Sequence, residues 1–274
     1  MTFKEAMAAL EKAGTAQCRK IYARHGVAGA QFGVSSAALG GMTKAIKTDH
    51  ALATALWKTG NYDACILATM IADPEAITEG QLDSWAKDLD SYCLTDAFAK
   101  VAMKTPFARA KAAQWAASSE EWIGRAGWHL HAFRAMSDRD ATDAEFETLL
   151  ATIEREIHAR KNRVRDAMNS ALIAIGARNP RLTEKALAAA KRIGIVDVDH
   201  GETSCKTPDA AEYIAKMLAR QQGKSAAKAA ARPASNRAAP KPATKPASKG
   251  AVPKPAAKAA PQSARRPAAK TRRA

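Results

Sequence analysis

The segment Asp90-Ser91-Tyr92-Cys93-Leu94-Thr95-Asp96-Ala97-Phe98-Ala99-Lys100 carries a phenol and a carboxylate at helical spacing. On a helix Tyr92, Asp96 and Ala99 share one face, while Leu94, Ala97, Phe98 and Val101 form an apolar stripe on the other. Tyr92 and Asp96 then project together from the side that is not core. The plain alternative is a solvated face on which Asp96 pairs with Lys100 at i,i+4, worth only about 0.3–0.5 kcal/mol.

A second group runs from Trp115 to Phe133. It holds three of the five tryptophans, Trp115, Trp122 and Trp128, and Arg125 sits one helical turn from both Trp122 and Trp128. An arginine flanked by aromatic rings can hold a phosphate or stack on a base. The same residues serve equally well as a packing cluster with one exposed arginine, and the spacing does not separate the two. Two other patterns carry less. His129 and His131 are two apart, so on a helix they point to opposite sides, and a zinc pair needs a spacing of three or four. Gly201-Glu202-Thr203-Ser204-Cys205-Lys206 lacks the second glycine and the preceding strand of a phosphate loop, and reads as a turn entering the last helix.

The elements that must position these groups read as helix after helix. Phe146, Leu149, Leu150, Ile153 and Ile157 make one apolar stripe, and Val164, Ala167, Met168, Ala171, Leu172 and Ile175 repeat it in the next segment. Thr142 with Glu145, Thr78 with Gln81, and Ser118 with Glu121 have the spacing of capping boxes. Thr207-Pro208 places a proline where a first helical turn tolerates it. Short turns fall near Lys58–Tyr62, Asp73–Glu75, Thr105–Pro106 and Asn179–Pro180, and no segment alternates as a strand does. Helices of about 10 to 20 residues cannot bury their stripes alone. Stacked antiparallel pairs in a HEAT-like or armadillo-like array bury them, and a closed bundle remains open on periodicity alone.

Charge divides the chain. Of 43 Lys and Arg against 27 Asp and Glu, residues 221–274 hold eight Lys, six Arg and no acid, together with 19 Ala, eight of the 12 Pro and no aromatic residue. Residues 1–220 are therefore close to neutral and should form the folded body. The remainder should be a disordered tail whose natural partner is DNA or another polyanion. The four cysteines, Cys18, Cys65, Cys93 and Cys205, form no Cys-x-x-Cys pair, which fits a reducing cytoplasm better than a disulfide framework. No apolar run is long enough to span a bilayer, and the N-terminus lacks a signal-peptide core.

Taken in order, several segments resemble the AlkD-like DNA alkylation repair family, HEAT-like helical DNA glycosylases and their relatives. They are Phe32-Gly33-Val34, Leu56-Trp57-Lys58-Thr59-Gly60 through Ile71-Ala72-Asp73-Pro74, and Leu82-Asp83-Ser84-Trp85. The Asp90–Asp96 segment, Gln114-Trp115-Ala116, Arg125-Ala126-Gly127 and Cys205-Lys206-Thr207-Pro208 follow. The resemblance covers residues 3 to 216 and implies an all-α solenoid whose concave groove grips duplex DNA. It implies excision of cationic N3- or N7-alkylated purines by hydrolysis of the N-glycosidic bond, with no metal or organic cofactor. Asp96 falls at the catalytic aspartate, and Tyr92 takes the place of the tryptophan four residues before it. Arg125 matches an arginine that contacts the DNA backbone near the lesion. The second site tryptophan of the family falls at Ser170 or a neighbour. Trp128 and Lys100 complete the expected DNA-contacting set with Arg125 and Ser170.

Retained Asp96 points to chemistry. The lost aromatics point to a non-catalytic module of the same fold that recognises damaged, bent or branched DNA. A third possibility for a helical solenoid is a protein-binding scaffold. A monomer, cytoplasmic and nucleoid-associated, is expected.

Overall fold

The computed structural model describes residues 1–230, and residues 224–230 by their backbone only. The disordered tail expected from composition lies outside the described residues. Every regular element among them is helical, and the one β-bridge, Gly14 with Val34, is isolated.

Two short helices, α1 (Phe3–Ala13) and α2 (Ala16–Arg24), open the chain. Then come α3 (Ser36–Ile46), α4 (His50–Trp57), α5 (Tyr62–Ile71), α6 (Glu79–Lys87), α7 (Tyr92–Ala102) and α8 (Ala108–Ala116). They are followed by α9 (Glu121–Ser137), α10 (Asp143–Glu156) with a 3-10 turn at Ile157–Ala159, α11 (Asn162–Gly176), α12 (Pro180–Ile193) and α13 (Ala210–Ala230). All four expected turns fall between helices. Thr78 and Thr142 accept the backbone N–H of Gln81 and Glu145 as caps, and Asn179 caps α12 with Pro180 in its first turn.

Three local expectations are corrected. Ser118 does not cap α9: its hydroxyl accepts from the N–H of Glu120, and the Glu121 carboxylate instead accepts the N–H of Arg163 at the start of α11. Pro208 precedes α13 rather than entering it, because Asp209 caps the helix through the N–H of Glu212. The boundary at residue 220 is too early. The alanine-rich stretch beyond it continues α13 to Ala230, since the first proline comes only at Pro233, and the Gln221 amide donates back to the carbonyl of Ala177.

The helices stack in two layers. In one, α3, α5, α7, α9 and α11 lie side by side in chain order; in the other, α4, α8 and α12 pack on α5, α9 and α11, and α10 lies against α12. Two apolar cores result, one under α1–α9 and one under α9–α13. Helix α9 contributes to both, Ala126 and Leu130 to the first and Trp128, Ala132 and Ala135 to the second. That is why its sequence shows no clean polar face.

Close approach of α9 to its neighbours depends on two glycines. A Cβ on Gly127 would lie 2.1 Å from the backbone N of Ala116 in α8, and one on Gly124 would lie 3.2 Å from Val164 in α11. At the other end, Asp63 is fully buried and accepts the backbone N–H groups of Phe32, Gly33 and Val34 at 2.6–2.9 Å, which ties the loop before α3 to α5. Among the described residues no helix is long and apolar enough to cross a membrane.

Candidate nucleic-acid interface

Asp96 stands one turn into α7, at the centre of the first layer, facing α9 and α11. Its α9 partner is Arg125, whose Nε and Nη2 grip the carboxylate at 2.9 and 3.2 Å. Arg125 Nη1 reaches α11, donating to Asp166 at 2.7 Å and to the carbonyl of Arg163 at 3.0 Å. One helical turn along α9, His129 Nε2 lies 3.0 Å from the same Asp96 oxygen, off the axis of a well-directed hydrogen bond. One guanidinium therefore ties three helices together through a forked pair with one carboxylate and a single bond to another.

The electrostatics follow from the geometry. Burial pushes the Asp96 carboxyl up, but His129 and Arg125 beside it outweigh burial and hold it down to about 2. Asp96 is thus ionised at neutral pH with 34% of its side chain exposed. Arg125 is charged as well but only 3% exposed.

Tyr92 begins α7. Its hydroxyl hydrogen-bonds Nδ1 of His25, just after α2. The Arg163 guanidinium lies over its ring at 4.6 Å from the centroid, with Arg125 at 5.5 Å. Burial drives the phenol upward, so it stays protonated. Arg163 also contacts His200 Nδ1 at 3.3 Å, and His200 Nε2 reaches Thr207. The loop between α12 and α13 and the end of α2 therefore both come to Tyr92.

The sequence-derived set divides accordingly. Tyr92, Asp96 and Arg125 converge. The pair expected between Asp96 and Lys100 does not form, because Arg125 and His129 occupy the carboxylate. Lys100 is exposed one turn farther along α7 and faces α3 and α5. Ser170 is half-buried one turn past Asp166 and belongs to the same stripe of α11 as Arg163.

Two expectations are corrected. Trp128 is 2% exposed, packed in the second core near His131 at 5.5 Å, and has no surface to offer DNA. Arg125 is likewise enclosed, with Nε, Nη1 and Nη2 engaged by Asp96, Asp166 and the Arg163 carbonyl. The reason is shared: α9 is covered by α8 on one side and α11 on the other. Ala99, read on the face of Tyr92, is also fully buried. Trp115 donates to Asp83, which is bound by the buried Lys111. The tryptophans at 115 and 128 are therefore packing residues.

Sequence reasoning missed His25, His129, Arg163, Asp166 and His200. Three of them had a local signal. His129 is four residues from Arg125 on one helix, and Arg163 and Asp166 are three apart on another. His25 and His200 had none, since only folding brings them to residue 92. Among the described residues no group of three or more His, Cys, Asp or Glu is placed to hold a metal.

A solenoid of helix pairs with an aspartate clamped by arginine at its centre defines a class, and the comparisons name it. Residues 6–214 match the family described as DNA alkylation repair enzyme, and the chain belongs to that family. Uncharacterized proteins of Listeria innocua and Listeria monocytogenes are 32% and 33% identical to it, each over 61% of this chain and 74% of its own length. A solved structure matches with a TM-score of 0.74 and 33% identity over 81% of this chain and 95% of its own. That structure represents "a new family of proteins related to the HEAT-like repeat DNA glycosylases with affinity for branched DNA structures". The all-α HEAT-like fold inferred from the sequence is thereby established.

Proposed function

We propose that this protein binds DNA along the layer formed by α3, α5, α7, α9 and α11 and recognises branched or distorted DNA, without excising a base. One observation carries the reading: the charge of Asp96 is already matched. A carboxylate stabilises a sugar cation in proportion to the net negative field it presents. Here the Asp96 and Asp166 carboxylates face the Arg125 guanidinium, with Arg163 and His129 adjacent, so little net negative charge is left to present.

The second aromatic wall is also missing, with Ser170 in its stead, and Arg163 covers the ring of Tyr92. A guanidinium stacked on a phenol is a poor cradle for a cationic purine and a good contact for phosphate or for the exposed face of a neutral base pair. The affinity for branched DNA of the structurally similar family points the same way. A nucleoid-associated location follows from this reading.

A second reading is base excision, and it is favoured by Asp96 itself, which is ionised and reachable from solvent. In that reaction the C1′–N bond of an N3- or N7-alkylated purine breaks with its electrons moving to the purine, which leaves neutral. Water then adds to C1′ and releases a proton. Asp96 would stabilise the intervening sugar cation and Tyr92 would pack against the nucleoside.

One experiment separates the two. Methylated duplex DNA is incubated with the wild type and with Asp96→Asn, and free 7-methylguanine and 3-methyladenine are measured; binding to a four-way junction and to linear duplex is measured in parallel. The binder predicts no release from either protein and a several-fold preference for the junction. Release by the wild type that disappears in Asp96→Asn establishes the glycosylase and overturns the first reading.

A further inference from the structure

We infer that the groove bounded by α3, α5 and α7, one helical turn from Asp96, holds an unpaired nucleotide of a DNA strand leaving a branch point. The inference rests on the DNA-binding reading above and adds a site to it. The groove has a volume of about 440 Å³, within the roughly 300 to 1,000 Å³ of small-ligand clefts. Lys100 and Lys104 stand on its rim, both exposed, and neither forms an ion pair among the described residues. No carboxylate lines it. Its floor is apolar, with half-buried Ile66 and with Met70, which is 40% exposed.

The hydroxyls identify the ligand more closely. Thr43 donates its hydroxyl proton to the carbonyl of Leu39, and Thr69 donates to that of Ile66. Their remaining valence is therefore a lone pair, which accepts, while the exposed Ser36 hydroxyl makes no hydrogen bond among the described residues and can donate or accept. A largely apolar floor with two accepting hydroxyls and one free one suits a neutral ring bearing both N–H and carbonyl groups. An anion belongs instead on the lysines above. A ring below and a phosphate at the rim together make a nucleotide.

The neighbouring centre indicates that it comes as part of a strand. Tyr92, Asp96 and Lys100 follow one another along α7 at intervals of four, each about 6 Å farther along the axis and about 40° around it, and Lys104 lies just past the end of the helix. A backbone held near Tyr92 and Arg163 can therefore reach the groove by following α7 as this row winds from its α9 face toward α5. A base in a duplex is stacked and paired and cannot lie on this floor, whereas an unpaired one can. The groove thus accounts for a preference for branched over linear DNA through the free strand.

The test compares a dye-labelled linear duplex with the same duplex carrying a ten-nucleotide unpaired thymidine flap, by fluorescence anisotropy, using the full chain. The wild type is expected to bind the flap substrate several-fold more tightly. Lys104→Glu should lower the ratio of flap to duplex affinity about tenfold. Thr43→Val combined with Thr69→Val, which leaves charge unchanged and volume nearly so, should lower the ratio two- to fivefold; this variant keeps the test valid if reversal at Lys104 disturbs folding.

A ratio unchanged in both variants, with the wild-type preference intact, overturns the groove assignment alone. In that case Lys100 and Lys104 serve some other partner. A wild type that binds both substrates equally, and four-way junctions no better, overturns the DNA-structure reading together with it. Displacement of the flap by free thymidine monophosphate at millimolar concentration would make this a mononucleotide site and overturn its assignment to a strand.

Discussion

At the residue scale, the defining feature is a buried arginine shared between carboxylates of two helices. Replacing Asp96 by Asn leaves Arg125 enclosed with a weaker partner, and a loss of about 1–3 kcal/mol in unfolding free energy is expected, measurable by urea titration. The acid limb should change too. The folded Asp96 carboxyl is held below its usual value, so its contribution is complete above about pH 4 and disappears as the pH falls through about 2; Asp96→Asn should remove that part of the acid unfolding. His131 acts at higher pH. Burial, with Arg134 adding to it, pushes its imidazole down to about 4. The unfolded chain takes up that proton near pH 6.5 and the folded chain does not. Stability should therefore decline from pH 6.5 toward pH 4, by about 3 kcal/mol, and His131→Leu should flatten the decline. An unchanged profile in that variant would mean that the imidazole is not shielded as the structure shows.

At the element scale, the site exists because α9 passes unusually close to α8 while also packing on α7 and α11. Gly127 permits this, and Gly127→Ala would drive a methyl group into the backbone of α8. We expect a loss of more than about 2 kcal/mol and a Tm lowered by several degrees. DNA affinity should also fall, because any shift of α9 displaces both Arg125 and His129 from Asp96. A variant of normal stability would show that α8 yields easily. Legibility in the sequence was uneven at this scale. The caps at Thr78 and Thr142 were readable because each depends on a residue three positions away. Ser118 failed because its hydroxyl accepts the N–H of Glu120 instead, and the Glu121 carboxylate is engaged by the N–H of Arg163, 42 residues later.

At the scale of the whole molecule, positive charge is concentrated at the C-terminal end. Residues 231–274 carry 12 Lys and Arg and no acid. A chain ending at Ala230, where α13 ends, is the appropriate truncation; ending near residue 220 would cut a helix that packs through Gln221. Phosphate neutralisation adds about 0.7 to 0.9 to the slope of log K against log salt per contact. Removing the 12 charges should make duplex binding several units less steep in salt, up to a limit of about 10. Junction preference should survive if it resides in the helical layers. A slope unchanged on truncation would place all the electrostatic contacts in the body.

What the sequence determined by itself was whatever acts over one or two helical turns. The helical class, the positions of the turns, the Tyr92–Asp96 stripe and the division between a neutral body and a basic end all follow from local spacing and composition. The family's ordered segments added Arg125 to the site.

Tertiary structure alone decided which side of each helix is covered. Helix α9 bears Arg125, Trp128 and His129 within a turn and a half, and nothing in that spacing says which will meet solvent. Packing between α8 and α11 sent Trp128 into the core and turned Arg125 inward as a clamp. It also raised His129 from a discarded metal ligand to a neighbour of Asp96. The stacking of Arg163 on Tyr92 joins residues 71 apart, and its energy depends on a geometry that no short segment encodes. Local spacing sets how a helix can be amphipathic; only the neighbours that desolvate it decide which of its polar groups end up paired, buried or free to meet DNA.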